Sequence, residues 1–277
     1  MNFDSPAEIR ALLEERGLAL KKRWGQNFLV NRGARQRLVQ ILAPLPHETA
    51  WEIGPGLGAM TALLARSAAR VIAFEVDRGL CRFLQETVAN LPSFTLVPGD
   101  FLDTWKGTLQ HQGTPDRILG NLPYRSASLM IADIIEAGLR PLRMVFTVQR
   151  ELADRMSSPP GQKSYSSFSV LCQSCFNVVD RGDLQPGSFY PVPDVVSSIV
   201  EMTAVEGAPS GEELKSLSAL ARSFFSSRRK TIRNNVKDGA VREALEQEGI
   251  DLGLRAEQLP PSAFVRLARR LTGSSSP

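Results

Sequence analysis

Residues 120–128 read GNLPYRSAS, where the apolar run Arg117-Ile118-Leu119 breaks into glycine, asparagine, leucine, proline and tyrosine. One reading is an ordinary strand-to-helix turn, with Pro123 as its punctuation and Tyr124 half-buried. The other is chemical. The exocyclic amine of an adenine is a poor nucleophile because its lone pair is delocalised into the ring. Methylating it needs no strong base; it needs the nitrogen held in line with the bond that breaks. Acceptors placed on the amine's hydrogens favour a pyramidal nitrogen and localise the lone pair. The Asn121 side-chain oxygen and the Leu122 carbonyl suit that role, and Pro123 stiffens the turn. Tyr124 offers a flat face on which an extruded base can stack.

A methyl donor needs its own cradle. Residues 51–65, WEIGPGLGAMTALLA, read as a strand, a turn with Gly54, Gly56 and Gly58, and a helix. Glycine lets a ligand approach the backbone, and the helix start offers free N–H groups; a tight strand-to-helix turn would use the same glycines. Glu75 lies 21 residues past Gly54, at the end of the next strand, where ribose hydroxyls are held. A third strand leads to Asp100. Gly54, Glu75 and Asp100 thus line one crevice at the carboxyl edge of a sheet. A dinucleotide would account for the glycines and Glu75, but the spacing is GxGxG rather than GxGxxG, and Asn121 to Tyr124 would have no role. S-adenosylmethionine accounts for both. Its adenosine would lie against Glu75 and Asp100, and its sulfonium would point toward the fourth strand, where a carbonyl-rich or acidic wall suits a cation.

The elements that must position these groups follow from the pattern of the chain. Ser5, Pro6 and Glu8 open an amphipathic helix that ends at Gly17. A helix is expected near 33–43. Strands at 49–53, 70–75, 94–97, 117–120 and 142–148 then alternate with helices at 58–67, 78–90, 126–137 and from Gln149 onward. That alternation predicts βαβ units and a mostly parallel sheet. Residues 165–204 lack helical periodicity and read as two more strands joined by QPGSFYPVPDVV. Beyond EGAPSGEE only helices are expected, at 211–226, 239–248 and 260–271. The division predicted is an α/β domain over 1–205 and an all-helical domain over 206–277.

Composition narrows the class. The chain has 277 residues, 43% hydrophobic and 22% charged, which suits a soluble protein with a sizeable core. No run approaches the length of a membrane span, and MNFDSPAEIRALLEERG is neither a signal peptide nor a typical transit peptide. Cytoplasm is the default compartment. Cys81, Cys172 and Cys175 are too few for a disulfide framework. Cys172 and Cys175 sit in FSVLCQSCFNVV, read as a buried strand with the thiols on opposite faces; with only His47 and His111 as further soft ligands, no metal site is expected. The net charge is +4 and unevenly spread. Residues 21–37 hold six Lys/Arg and no Asp/Glu, and residues 211–277 hold 12 against 8. Such runs are commonly solvated faces, yet two of them make an anionic polymer a plausible partner.

Taken together, GQNFL (25–29), EIGPGLG (52–58), Glu75, Gly99-Asp100, GNLPY (120–124), FYPVPDVVSS (189–198) and RRKTIRNN (228–235) resemble the KsgA-type small-subunit rRNA adenine dimethyltransferases, in order, from about residue 20 to 270. The resemblance implies a Rossmann-like S-adenosylmethionine methyltransferase sheet with a small all-helical C-terminal domain. It implies dimethylation of two adjacent adenines in the hairpin near the 3′ end of 16S rRNA within an immature 30S subunit, by a monomer. Cofactor contacts would come from Asn27, Leu29, Gly54, Glu75, Asp100 and Asn121, with QNFL covering the cofactor. Asn121, Leu122, Pro123 and Tyr124 would hold the target base, and Phe189 would sandwich it opposite Tyr124; a strand-end core aromatic is the alternative for Phe189. Arg228, Arg229, Lys230 and Arg233, within one and a half helical turns, would grip RNA phosphates. One departure is Arg125-Ser126-Ala127, where the family has Asn-Ile-Ser. The rival readings are a 23S rRNA adenine methyltransferase of the antibiotic-resistance type, a DNA adenine methyltransferase and a non-catalytic RNA-binding assembly factor.

Overall fold

Ser5 caps the first helix as its sequence predicts: its hydroxyl accepts from the Glu8 N–H, and Pro6 occupies the first turn. The computed structural model describes residues 2–20, 24–88, 91 and 93–273; Lys21, Lys22 and Arg23 of the basic run lie outside them. The helix, α1 (Pro6–Glu15), is followed by a short strand, β1 (Phe28–Leu29), and by α2 (Arg32–Leu42), capped by Asn31. The alternating part comprises β2 (Thr49–Ile53), α3 (Thr61–Leu64), β3 (Arg70–Glu75), α4 (Arg78–Thr87), β4 (Phe94–Pro98), α5 (Phe101–Gln112), β5 (Arg117–Asn121), α6 (Ala127–Glu136) and β6 (Arg143–Gln149). Then come α7 (Arg150–Ser157), α8 (Ser167–Cys175), β7 (Phe176–Leu184), β8 (Phe189–Tyr190) and β9 (Ser197–Ala204). The remainder is helical: α9 (Gly211–Phe224), α10 (Ile232–Asn235), α11 (Gly239–Gln247) and α12 (Pro261–Thr272).

Seven strands form one sheet in the order β4-β3-β2-β5-β6-β9-β7, and β1 pairs with β8 in a separate antiparallel ribbon. The pairs β2–β3, β2–β5, β3–β4 and β5–β6 are parallel. The strand order reverses its progression at β2, so a crevice opens outside the carboxyl ends of β2 and β5. Trp51, Phe74, Phe101 and Trp105 form a continuous aromatic chain on one side of these strands, with successive centroids 5.0, 5.1 and 6.0 Å apart.

Three expectations change. The helix expected over 58–67 shortens to α3. A helix not foreseen, α5, follows Asp100, whose side chain caps it. Residues 167–175 are helical rather than extended: Ser166 and Ser169 make a capping box, and seven of the nine residues are buried, so the segment carries no amphipathic stripe. Cys172 and Cys175 therefore share a helix face instead of opposing faces of a strand.

The chain divides into two compact units. The first comprises Met1–Met130, Pro141–Arg150 and Asp180–Met202; the second comprises Ile131–Arg140, Glu151–Val179 and Thr203–Pro277. The helices after residue 206 thus share their unit with α8 and most of α7. Tyr165 shows why: it is fully buried, its hydroxyl donates to the Leu259 carbonyl at 2.9 Å, and its ring meets Phe225 edge-on. Phe224 and Phe264 join α9 to α12 beside it.

Candidate active site

The turn after β2 is built for close approach. Gly54, Gly56 and Gly58 take φ of 72°, 59° and 83°, conformations that glycine reaches without strain. A Cβ on Gly56 would stand 3.0 Å from the Phe28 ring, and one on Gly54 would stand 3.8 Å from the Asn121 carbonyl oxygen. A side chain at Gly54 would thus fill the gap between the turn and the end of β5.

Glu75 closes the same cavity from β3. It is 4% exposed; one carboxylate oxygen accepts from Gly56 N–H at 3.1 Å and the other from Asp77 N–H at 2.9 Å. The carboxylate has more acceptor sites than these donors fill, so it can still accept from a hydroxyl. Burial pushes its pKa up to about 7, with the Asp77 charge adding to the rise, against backbone hydrogen bonds from Asp77, Gly56 and Val76 that lower it. Asp77 caps α4 through Gly79 and Leu80 and accepts from the Gln26 side chain. Glu52, fully buried on β2, is also pushed by burial to about 7, with the Glu75 charge adding to the rise; Thr61 donates to one of its oxygens.

Residues 24–29 lie over this cavity, whose wall includes Trp24, Asn27, Leu29, Gly54, Glu75 and Asn121. Asn121 joins the cover to the sheet. Its side-chain NH2 donates to the Asn27 carbonyl at 2.6 Å, and its oxygen accepts from the Thr147 hydroxyl. Pro123 lines the cavity too, while Leu122 is buried and donates its N–H to the Thr147 carbonyl at 3.1 Å. Tyr124 is half-buried, and its hydroxyl meets Ser197 Oγ at 2.7 Å. Burial raises the Tyr124 pKa, so its hydroxyl stays protonated at neutral pH. Thr147 and Ser197 were not singled out from sequence. A polar residue inside an apolar strand facing the NLPY turn was the available signal for Thr147, and Ser197 sits within the quoted FYPVPDVVSS stretch.

Other expected residues stand elsewhere. Asp100 is exposed and outside the cavity wall; its carboxylate caps α5 through Leu102 N–H at 2.9 Å. Phe189 is 1% exposed, paired in register with Leu29 and packed in the core with Leu38 and Ile199. In this arrangement the ring is covered, as a strand-end core aromatic would be, and is not presented to a base. Arg228, Arg229 and Lys230 do not share a helix with Arg233. They form a turn after a 3-10 segment over Phe225–Ser227, and Arg233 lies in α10. Asn235 holds this turn by donating to the Phe224 and Ser227 carbonyls at 2.8 and 2.9 Å. All four cations are exposed, and Arg228 pairs with Glu257 at 3.0 Å. Arg125 is exposed as well.

Cys172 and Cys175 are buried, and burial holds both thiols well above their usual pKa, so they are inert. Among the described residues, no group of three or more His, Cys, Asp and Glu is placed to hold a metal, and no helix is long and apolar enough to cross a membrane.

A family model described as ribosomal RNA adenine dimethylase matches residues 17–273. Ribosomal RNA small subunit methyltransferase A of Treponema pallidum is 40% identical over 280 residues, covering 98% of this chain and 97% of its own. The protein of that name from Treponema denticola is 37% identical over 277 residues, covering 96% and 94%. Among solved structures, a dimethyladenosine transferase from Plasmodium falciparum superposes with a TM-score of 0.77 at 21% identity, covering 88% of this chain and 97% of that one. The 23S rRNA methyltransferase ErmE superposes with a TM-score of 0.66 at 23% identity, covering 88% and 99%. These two show that the sheet has the Rossmann-like methyltransferase fold.

Proposed function

The chain belongs to the ribosomal RNA adenine dimethylase family, and we propose that its cavity binds S-adenosylmethionine and that its NLPY turn presents the 6-amino group of an adenine to the methyl group. The substrate we infer is the pair of adjacent adenines in the 3′-terminal hairpin of 16S rRNA, met by a cytoplasmic monomer on an immature 30S particle. The observation that carries the reading is the joint presence of Glu75 and Asn121 in one cavity wall, with Gly54 keeping the space between them clear.

When bound, S-adenosylmethionine supplies an electrophilic methyl carbon on a sulfonium. The residues of the chain do the positioning. Glu75 accepts from the ribose hydroxyls with the lone pairs its backbone donors leave. Asn27 and Leu29 cover the methionine side. Asn121 Oδ1 and the Leu122 carbonyl accept from the two amine hydrogens, which draws the nitrogen toward a pyramidal geometry and frees its lone pair for in-line attack. Tyr124 stacks the extruded ring. Phe189 acts one layer back, supporting Leu29 across the ribbon. Arg228, Arg229, Lys230 and Arg233 meet phosphates, with Arg228 shared with Glu257.

The names of the Treponema relatives favour the small-subunit target over 23S rRNA. The test is tritiated S-adenosylmethionine with unmethylated 30S particles, followed by mapping of the labelled bases, with 50S particles in parallel. Two labelled adjacent adenines in the 16S hairpin are expected. Label confined to 23S rRNA would favour the antibiotic-resistance reading, and no transfer to either particle would favour a non-catalytic assembly factor.

A further inference from the structure

We propose that Thr147 is a positioning residue for methyl transfer: one buried threonine on β6 fixes both the orientation of the Asn121 amide and the backbone of Leu122. The proposal rests on the role given above to Asn121.

Thr147 is fully buried in β6 and stands directly beside Asn121 in the parallel register. Neighbours in register project to the same side of a sheet, so the two side chains meet. Two contacts result. The Thr147 hydroxyl donates to Asn121 Oδ1, and the Thr147 carbonyl accepts the Leu122 N–H at 3.1 Å. The Asn121 oxygen assigned to the amine is thus held by the Thr147 hydroxyl, and the peptide that leads into Leu122 is held by the same residue's carbonyl.

The chemistry of the partners decides which way the amide faces. The Asn27 carbonyl can only accept, so the NH2 of Asn121 must lie on that side, 2.6 Å away. Its oxygen then faces Thr147, whose hydroxyl can supply the proton. Rotating the amide by half a turn would set two carbonyl oxygens against each other. Thr147 uses one lone pair of Oδ1 and leaves the second for an incoming amine. Being β-branched, it keeps its hydroxyl in place with little rotamer freedom.

Valine matches threonine in shape and lacks the donor. Thr147→Val should lower the single-turnover methylation rate on saturating 30S particles about tenfold, the scale of one lost buried hydrogen bond. S-adenosylmethionine affinity by calorimetry should change less than about twofold, since no contact to Glu75 or the glycine turn is lost. Thr147→Ser, which keeps the hydroxyl, should recover most of the rate. An unchanged rate in Thr147→Val, or equal losses in the valine and serine variants, would overturn the inference while leaving the Asn121 role standing. If the wild-type chain transfers no methyl group, the function reading fails instead. A second readout needs no turnover. The Asn121 side-chain amide signal, assigned by its loss in Asn121→Ala, should shift in Thr147→Val, because the amide oxygen loses its buried donor, and should return toward the wild-type position in Thr147→Ser. An unshifted signal in Thr147→Val would overturn the inference in either case.

Discussion

Glu75 shows how burial sets up a binding group. With its pKa raised to about 7, it is partly protonated in the cell's pH range, and a protonated carboxyl loses acceptor capacity toward ribose hydroxyls. S-adenosylmethionine affinity should therefore weaken as pH falls from 8 to 6, and Glu75→Gln should flatten that profile in calorimetry. Glu75→Ala should weaken binding by about 1.5–3 kcal/mol, the range for hydrogen bonds to a charged group; unchanged affinity would remove Glu75 from the site. Glu52 and Glu75 also carry a stability consequence. Their native pKa values exceed that of an unfolded glutamate, so between about pH 4.5 and 7 the native state holds more protons. Their contribution to stability without cofactor should be fully present below that window, fall as pH rises through it, and level off above 7, while Glu48 and Glu248, whose pKa values are lowered by their arginine partners, contribute in the opposite direction. Urea titrations at several pH values check the slope, and Glu52→Gln should reduce it. On the turn itself, Asn121→Ala should lower the single-turnover rate more than substrate affinity, whereas Tyr124→Ala should lose about 1–3 kcal/mol of base stacking.

Elements decide which of these residues were legible in the sequence. Gly54, Glu75 and Asn121 were visible because each ends an apolar strand at a break marked by glycine, an acid or proline, and a parallel sheet brings such ends to one edge. The helices α5 and α8 were hidden for opposite reasons. The first carries Gly107 and two threonines, weak helix formers; the second is buried on nearly every side and has no polar face to give a period. Thr147 was hidden because a threonine in an apolar strand also reads as a good strand former. The burial of Phe189 was not legible, because a motif position does not reveal which way a strand faces. The β5 turn also draws on β9, through Tyr124 and Ser197. A double-mutant cycle between Tyr124→Phe and Ser197→Ala should show a coupling of about 1 kcal/mol in stability. Additive losses would mean that the hydroxyls do not support each other.

At the scale of the whole molecule, the surplus of positive charge is carried by few segments, and the turn after α9 is one of them. Neutralising Arg229, Lys230 and Arg233 should weaken rRNA binding and reduce its salt dependence by roughly one unit of slope per lost phosphate contact. Arg228→Ala should do less, since that guanidinium is already shared with Glu257. Cofactor affinity should not change, and an unaltered salt slope would return the cluster to a solvated surface. The distribution of indole rings has an optical consequence. Trp51 and Trp105 are sealed in the aromatic chain beside the sheet, while Trp24 stands half-covered in the cavity wall. The native emission is therefore a sum of two shielded fluorophores that ignore the solvent and one that lines the cavity. Loading the cavity should quench or shift only the third share, and a Trp24→Phe chain should be optically silent to the same titration.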